Sequence, residues 1–260
     1  MKLKTVLKYA KPRYLRDSRI GYCNLCARPT LFLLVDTPEK VRNHALCIWC
    51  TSSSRNRHIV KCVLEAFSGQ GVQRLSDFSR HPAIALYDTS SQGILRRGVP
   101  AGATLTFSEY FDDTPIGGYK DGILCQDLRK TTFPDASFDL MISEDVFEHI
   151  PGYRDAFVDV YRILKPGGYH IFSIPYFFAQ KTRDLFEWRD GKPALLEPIE
   201  YHGDPVRGMI PCFTYFGYDL MDLLHEIGFE VEIDISQFKD DNRLGTFNSF
   251  TFVTRKPEKI

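Results

Sequence analysis

A chain of 260 residues has room for one large domain, or for a medium domain with a small companion. With 43% hydrophobic and 25% charged residues and no apolar run beyond five, the sequence excludes fibrous, disordered and helical membrane-spanning classes. Formal net charge is zero, from 33 basic and 33 acidic residues, which counts against a generalised nucleic-acid-binding surface.

The charge is unevenly placed. Residues 1–22 hold Lys2, Lys4, Lys8, Lys11, Arg13, Arg16 and Arg19 against the single acid Asp17. This basic arm suits a solvated tail packed on its own domain, an RNA contact or adhesion to an anionic membrane, and its composition does not choose among them. No apolar core follows the basic start, so a secretory leader is not expected.

Residues 23–58 carry Cys23-x-x-Cys26 and Cys47-x-x-Cys50, with 20 residues between the pairs. Two thiolate pairs on separate knuckles meet the tetrahedral requirement of structural zinc, and a shell of four sulfurs leaves no open position for catalysis. A redox dithiol or disulfide pair is the competing expectation. Seven cysteines, an odd number, argue against a disulfide framework and for a reducing, cytoplasmic location. Residues 59–82 read as a linking helix (Ile59, Val60, Val63, Leu64, Phe67) followed by a polar connector.

From residue 83 to 260 strands and helices alternate. Residues 83–87 form an apolar run ending at Asp88, 103–108 a second ending at Glu109, and 122–126 a third ending at Asp127. Residues 138–143 form a fourth, ending at the acidic pair Glu144-Asp145. Ala156, Phe157, Val160, Tyr161 and Leu164 then line one helical face, Pro166-Gly167-Gly168 is read as the stop, and 170–174 as the fifth strand. Residues 177–213, with Pro193, Pro198, Pro205 and Pro211, interrupt the pattern and are expected to form a substrate lid. A helix over 219–227 ends at Gly228, and 230–235 with 249–254 are expected to close the chain as a hairpin.

The phrases Phe138-Asp139-Leu140, Glu148-His149-Ile150-Pro151 and Leu164-Lys165-Pro166-Gly167-Gly168 carry a resemblance to class I S-adenosylmethionine (SAM) dependent methyltransferases, in particular the small-molecule branch called type 11. The resemblance covers roughly residues 83–256. It implies a doubly wound, seven-stranded, mostly parallel α/β sheet, here with a small zinc-ribbon-like module at its amino-terminal side. Glu109, 21 residues after Asp88, is placed to accept the ribose hydroxyls of SAM, close to the ~20-residue spacing of nucleoside-binding βαβ units. By the same resemblance Asp127 takes the adenine amine, and Leu128 or Gln126 flanks the ring. Asp88, Ser90, Gly93 and Glu144 complete the expected cofactor contacts. The first loop, Asp88-Thr89-Ser90-Ser91-Gln92-Gly93, departs from the family's acid followed by three glycines: it keeps one glycine and offers hydroxyls in place of the others.

Methyl transfer to a hydroxyl needs alignment and a general base. His149 is expected to face the methyl group. His202, with Asp204 two residues on as an orienting partner, is the second candidate. Tyr176, Phe177 and Phe178 are candidate walls for the sulfonium. The leading expectation is a methyltransferase acting on a hydroxyl of a small-molecule acceptor such as a saccharide or nucleotide-linked sugar. An RNA methyltransferase with an amino-terminal zinc module, and a non-catalytic binding protein of methyltransferase fold, are its rivals.

Overall fold

A computed structural model describes residues 18–33, 45–246 and 249–258. The basic arm up to residue 17 and residues 34–44 of the cysteine module lie outside the described residues, so the expectations placed on them stay as they were. The chain divides into two compact units, Met1–Ala83 with Arg97–Ala103 and Ile233–Val253, and Ile84–Arg96 with Thr104–Glu232 and Thr254–Ile260.

In the first unit, β1 (Arg19–Cys23), β2 (Arg28–Leu33) and β3 (Leu46–Cys47) form an antiparallel three-stranded sheet. Helix α1 (Ser54–Ala66) follows. It begins ahead of its apolar stripe because Ser53 caps it: the Ser53 hydroxyl accepts from the Asn56 amide (3.3 Å), and the Asn56 side chain accepts from the Ser53 amide (2.9 Å). Ile59, Val60 and Val63 form its buried face, together with Arg57, whose side chain is wholly buried.

Arg57 is the knot of this unit. It donates to the carbonyls of Ala45, Ser52, Leu244 (2.5 Å) and Gly245 (2.6 Å), and its guanidinium lies 4.1 Å from the centre of the Phe32 ring. Nearby, Asp234 receives both His58 (2.6 Å) and Lys61 (3.0 Å).

From residue 84 onward the chain follows the alternation of the sequence. Its elements are β4 (Ala85–Asp88), α2 (Ile94–Gly98), β5 (Thr104–Glu109), β6 (Tyr119–Lys120), β7 (Ile123–Cys125), β8 (Phe138–Glu144), α3 (Tyr153–Ile163) and β9 (Leu164–Ser173). Then come β10 (Tyr176–Phe177), β11 (Arg183–Asp184), β12 (Phe186–Arg189), β13 (Lys192–Leu195), β14 (Tyr201–Asp204), β15 (Gly208–Pro211) and β16 (Thr214–Gly217). Helix α4 (Leu220–Ile227), β17 (Glu230–Ile235), α5 (Phe238–Leu244) and β18 (Phe250–Arg255) close the chain.

The main sheet has eight strands in the order β17-β18-β9-β8-β4-β5-β7-β6, one more than expected. The pairs β4–β5, β4–β8, β5–β7 and β8–β9 are parallel, and the two-residue β6 adds antiparallel to β7 at the edge. Parallel central strands buried on both faces read as near-continuous apolar runs, which is how Leu140, Met141 and Ile142 come to be fully buried. Phe147 stacks on Phe157 of α3 (4.1 Å between centroids), and His170 stacks on Phe172 of β9 (4.5 Å).

Two expectations change. Pro166-Gly167-Gly168 does not merely stop a helix: α3 ends at Ile163, and the three residues lie inside β9, at a register shift opposite Phe138 and Leu140. A side chain at Gly168 would sit 2.9 Å from the Lys165 carbonyl and 3.1 Å from that of Phe138, so only glycine lets the strands meet there. The terminal strands β17 and β18 are neighbours in the sheet but not a tight hairpin, because α5 lies between them. The 177–213 insertion is organised by short strands: β12 with β13, β14 with β15, and β10 and β11 on either side of β16. Among the described residues no helix is long and apolar enough to cross a membrane.

Candidate active site and cysteine cluster

Acids stand at the carboxyl ends of four adjacent parallel strands: Glu144 after β8, Asp88 after β4, Glu109 after β5 and Asp127 just beyond β7. This is the edge where open α/β sheets receive ligands. Asp88 is buried and accepts from the amides of Ser90 (3.2 Å) and Leu95 (2.9 Å). Burial, reinforced by the charge of Glu144, pushes its carboxyl up to about 8. A cationic ligand group seated between these acids would offset that cost. Gly93 packs against the Asp88 carboxylate so closely that a side chain there would overlap it. Thr89 presents a buried hydroxyl with no hydrogen-bond partner among the described residues, in the loop expected to meet the methionine tail.

The serines of this loop do something the sequence did not announce. One oxygen of Glu109 accepts from the Ser90 hydroxyl (3.1 Å), the Ser91 amide (2.8 Å) and the Ser91 hydroxyl (2.9 Å). The first loop is thus tied to Glu109 across the gap between β4 and β5. Asp127 is gripped by Arg129, through Nε at 3.0 and 3.1 Å and Nη2 at 2.6 Å. Arg129 therefore stands with Asp127 just beyond β7. Leu128 is buried beside it.

Past β8 the chain turns at Asp145, whose φ is +50° and whose carboxylate accepts from Ser173 (3.1 Å). A 3₁₀ turn over Phe147–His149 follows, fixed by the buried Phe147 ring. It presents Glu148, fully buried, and His149, whose side chain is 5% exposed. His149 Nδ1 donates to the carbonyl of Pro211 (2.7 Å), and its Nε2 lies 3.2 Å from Nδ1 of His202 on β14. His202 Nε2 in turn meets the Glu200 carboxylate at 3.1 Å. One oxygen of Glu148 stands 3.8 Å from His149 Nε2 and 3.9 Å from His202 Nδ1. Burial holds the His149 imidazole down at about 4, so it is neutral near pH 7.

The two histidines singled out from sequence are therefore brought together, although 53 residues separate them. Asp204 is placed differently: it accepts from the amides of Val206 (2.8 Å) and Arg207 (2.6 Å) and holds the turn between β14 and β15. Glu200 is the carboxylate on His202, and Glu148 completes the cluster. Both were missed. The available signal was Glu200 lying two residues from His202 in an extended stretch, which puts both on one face. Phe177 and Phe178 are largely exposed, and Phe178 packs edge-on against Tyr176 at 4.8 Å.

In the first unit, Cys23, Cys26, Cys47 and Cys50 converge with their sulfurs all within 4.8 Å of one another. Cys23 and Cys50 are 3.6 Å apart, Cys26 and Cys47 3.9 Å. Tetrahedral zinc with Zn–S bonds of about 2.3 Å sets sulfur–sulfur edges of about 3.8 Å. None of the seven cysteines is in a disulfide. Burial pushes Arg57 down to about 10 while the four sulfurs pull it back up, which is the charge complement a thiolate shell needs. The residues fit a zinc ion.

Residues 109–172 match the family model described as "Methyltransferase domain". Over 116 residues the chain is 29% identical to a 24-methylenesterol C-methyltransferase 2 of Oryza sativa subsp. japonica, covering 44% of this chain and 29% of that protein. It is 28% identical over 116 residues to a sterol 24-C-methyltransferase of Eremothecium gossypii, covering 45% of this chain. The match thus spans under a third of these relatives' own length (29% and 28%). A SAM-dependent methyltransferase from Mesorhizobium loti superposes with a TM-score of 0.39 at 15% identity, covering 70% of this chain and 99% of that one. One from Methanosarcina mazei gives 0.38 at 17%, covering 67% and 93%. Residues 109–172 are thus similar to a methyltransferase domain.

Proposed function

We propose that the chain transfers a methyl group from SAM to a hydroxyl of a small molecule, of the saccharide or nucleotide-sugar class. The observation that carries this reading is the pairing of His149 and His202, 3.2 Å apart, beside a buried carboxylate at the sheet edge that bears the nucleoside acids. SAM supplies an electrophilic methyl on a cationic sulfur. Glu109, tied to Ser90 and Ser91, would hold the ribose; Asp127 with Arg129 and Leu128 would hold the base. Asp88 and Glu144 would meet the amino-acid end, where positive charge relieves their mutual repulsion. The polar cluster at His149 and His202 would assist loss of the acceptor's proton, so R–OH and SAM give R–OCH3, S-adenosylhomocysteine and H+.

The sterol C-methyltransferases matched over part of the chain motivate a second reading, methylation of carbon on an apolar acceptor. Polar groups gathered at His149, His202, Glu148 and Glu200 favour the hydroxyl. Incubation with methyl-labelled SAM and panels of sugars, sterols and RNA decides by product mass. Label on a sugar oxygen supports the proposal, and label only on sterol or RNA overturns it. Absence of transfer with intact SAM binding would mark a non-catalytic binding protein. We also infer that Cys23, Cys26, Cys47 and Cys50 hold a structural zinc ion, whose binding would contribute folding energy to the first unit.

A further inference from the structure

We propose that Glu148, His149 and His202 form a second, nitrogen- and oxygen-liganded site for a divalent transition-metal ion, separate from the cysteine cluster. The argument starts from the hydrogen-bond roles. A carbonyl oxygen only accepts, so the bond from His149 Nδ1 to Pro211 places that ring's proton on Nδ1 and its lone pair on Nε2. The Glu200 carboxylate likewise fixes a proton on His202 Nε2 and leaves the lone pair on Nδ1. These two lone pairs point at each other across 3.2 Å. Two acceptors at that distance repel unless something positive lies between them, either a proton or a metal ion.

The dimensions favour the metal. Nitrogen ligands at about 2.0–2.1 Å around a tetrahedral ion define edges of about 3.3 Å. The observed edges are 3.2 Å between the imidazoles and 3.8 and 3.9 Å to the shared Glu148 oxygen, so contraction of a few tenths of an ångström closes the triangle. The outer shell is already in place: each imidazole donates its other N–H to an oxygen, one a backbone carbonyl and one a carboxylate, which orients the ring and raises its basicity. Two imidazoles and one carboxylate suit zinc, iron(II) or cobalt(II) and leave coordination positions open. On the reading above, a hydroxyl or diol of the acceptor takes one of those positions and is acidified by the ion, its proton leaving to solvent.

The test reads metal directly and needs no SAM, so its outcome is independent of the methyl-transfer assay. The full chain, with its cysteine site filled with zinc, is passed over chelating resin and titrated with Co2+. The expected result is one equivalent of Co2+ giving visible d–d absorption without the near-ultraviolet thiolate charge-transfer band. His202→Ala should abolish this binding, and Glu200→Gln should weaken it about 10-fold by loosening the ring's orientation. Both positions lie on or beside a surface hairpin, and unchanged unfolding curves without Co2+ will show that the fold persists. A Co2+ spectrum that is purely thiolate, or equal affinity in wild type and His202→Ala, overturns the site. So does the absence of saturable binding, which would assign the short contact to a shared proton.

Discussion

Replacing Arg57 by methionine should unfold the cysteine-bearing unit well before the rest of the chain. Methionine keeps much of the side chain's length but donates nothing. The carbonyls of Ala45, Ser52, Leu244 and Gly245 would each lose a buried donor. A stranded buried acceptor costs about 1–3 kcal/mol, and the lost contact over Phe32 adds about 1 kcal/mol. Relief from no longer burying a guanidinium, together with water entry, offsets part of this. A net loss of roughly 4–8 kcal/mol remains, comparable with the whole stability of a domain, about 5–15 kcal/mol. Trp49 sits in the second cysteine knuckle with its indole N–H on the Pro29 carbonyl (2.9 Å), so its fluorescence reports on this unit in a Trp188→Phe background. Urea titration followed at Trp49, with zinc release followed by a coloured chelator, should show a lowered midpoint and early metal loss. Arg57→Lys should recover little, because one ammonium cannot span four carbonyls. An Arg57→Met variant whose midpoint shifts by less than the equivalent of ~1 kcal/mol would refute the argument.

Two further outcomes follow from the second unit. Gly93→Ala presses a methyl group into the Asp88 carboxylate and should reduce SAM affinity at least ~10-fold (about 1.4 kcal/mol) in calorimetry, with the fold retained; unchanged affinity would remove the first loop from the cofactor site. His170 is fully buried, its Nε2 2.9 Å from the Ser143 hydroxyl, and burial depresses its imidazole to about 3. The unfolded chain takes up this proton near pH 6.5 and the folded chain does not, so the contribution is complete above 6.5 and is lost as pH falls toward 3. The full loss should be of order 5 kcal/mol. Urea midpoints measured from pH 7 to 4 should fall less steeply in His170→Gln than in the parent, and parallel curves would sink the assignment.

The strands were legible because buried parallel strands write themselves as short apolar runs, and Asp88, Glu109 and Glu144 ended those runs in sequence as they do in space. The cysteine cluster was legible from spacing alone. What sequence could not show was which polar groups meet across long separations. Nothing local ties Ser90 and Ser91 to Glu109, or Arg57 to Leu244, 187 residues away. Asp204 and Glu200 are equally near His202 in sequence. Only the turn that consumes Asp204 leaves Glu200 as the partner. The helix stop read into Pro166-Gly167-Gly168 misled for a related reason, since glycine signals close backbone approach in a strand as readily as an end to a helix.

His149 rises from a turn buttressed by the central sheet, whereas His202 rides on the β14–β15 hairpin of the insertion. One histidine of the pair is thus anchored in the scaffold and the other is portable. On the proposed function, exchanging that one hairpin for another would retune the acceptor while leaving Asp88, Glu109 and Asp127 untouched, a route by which descendants of a single ancestor could diversify their chemistry.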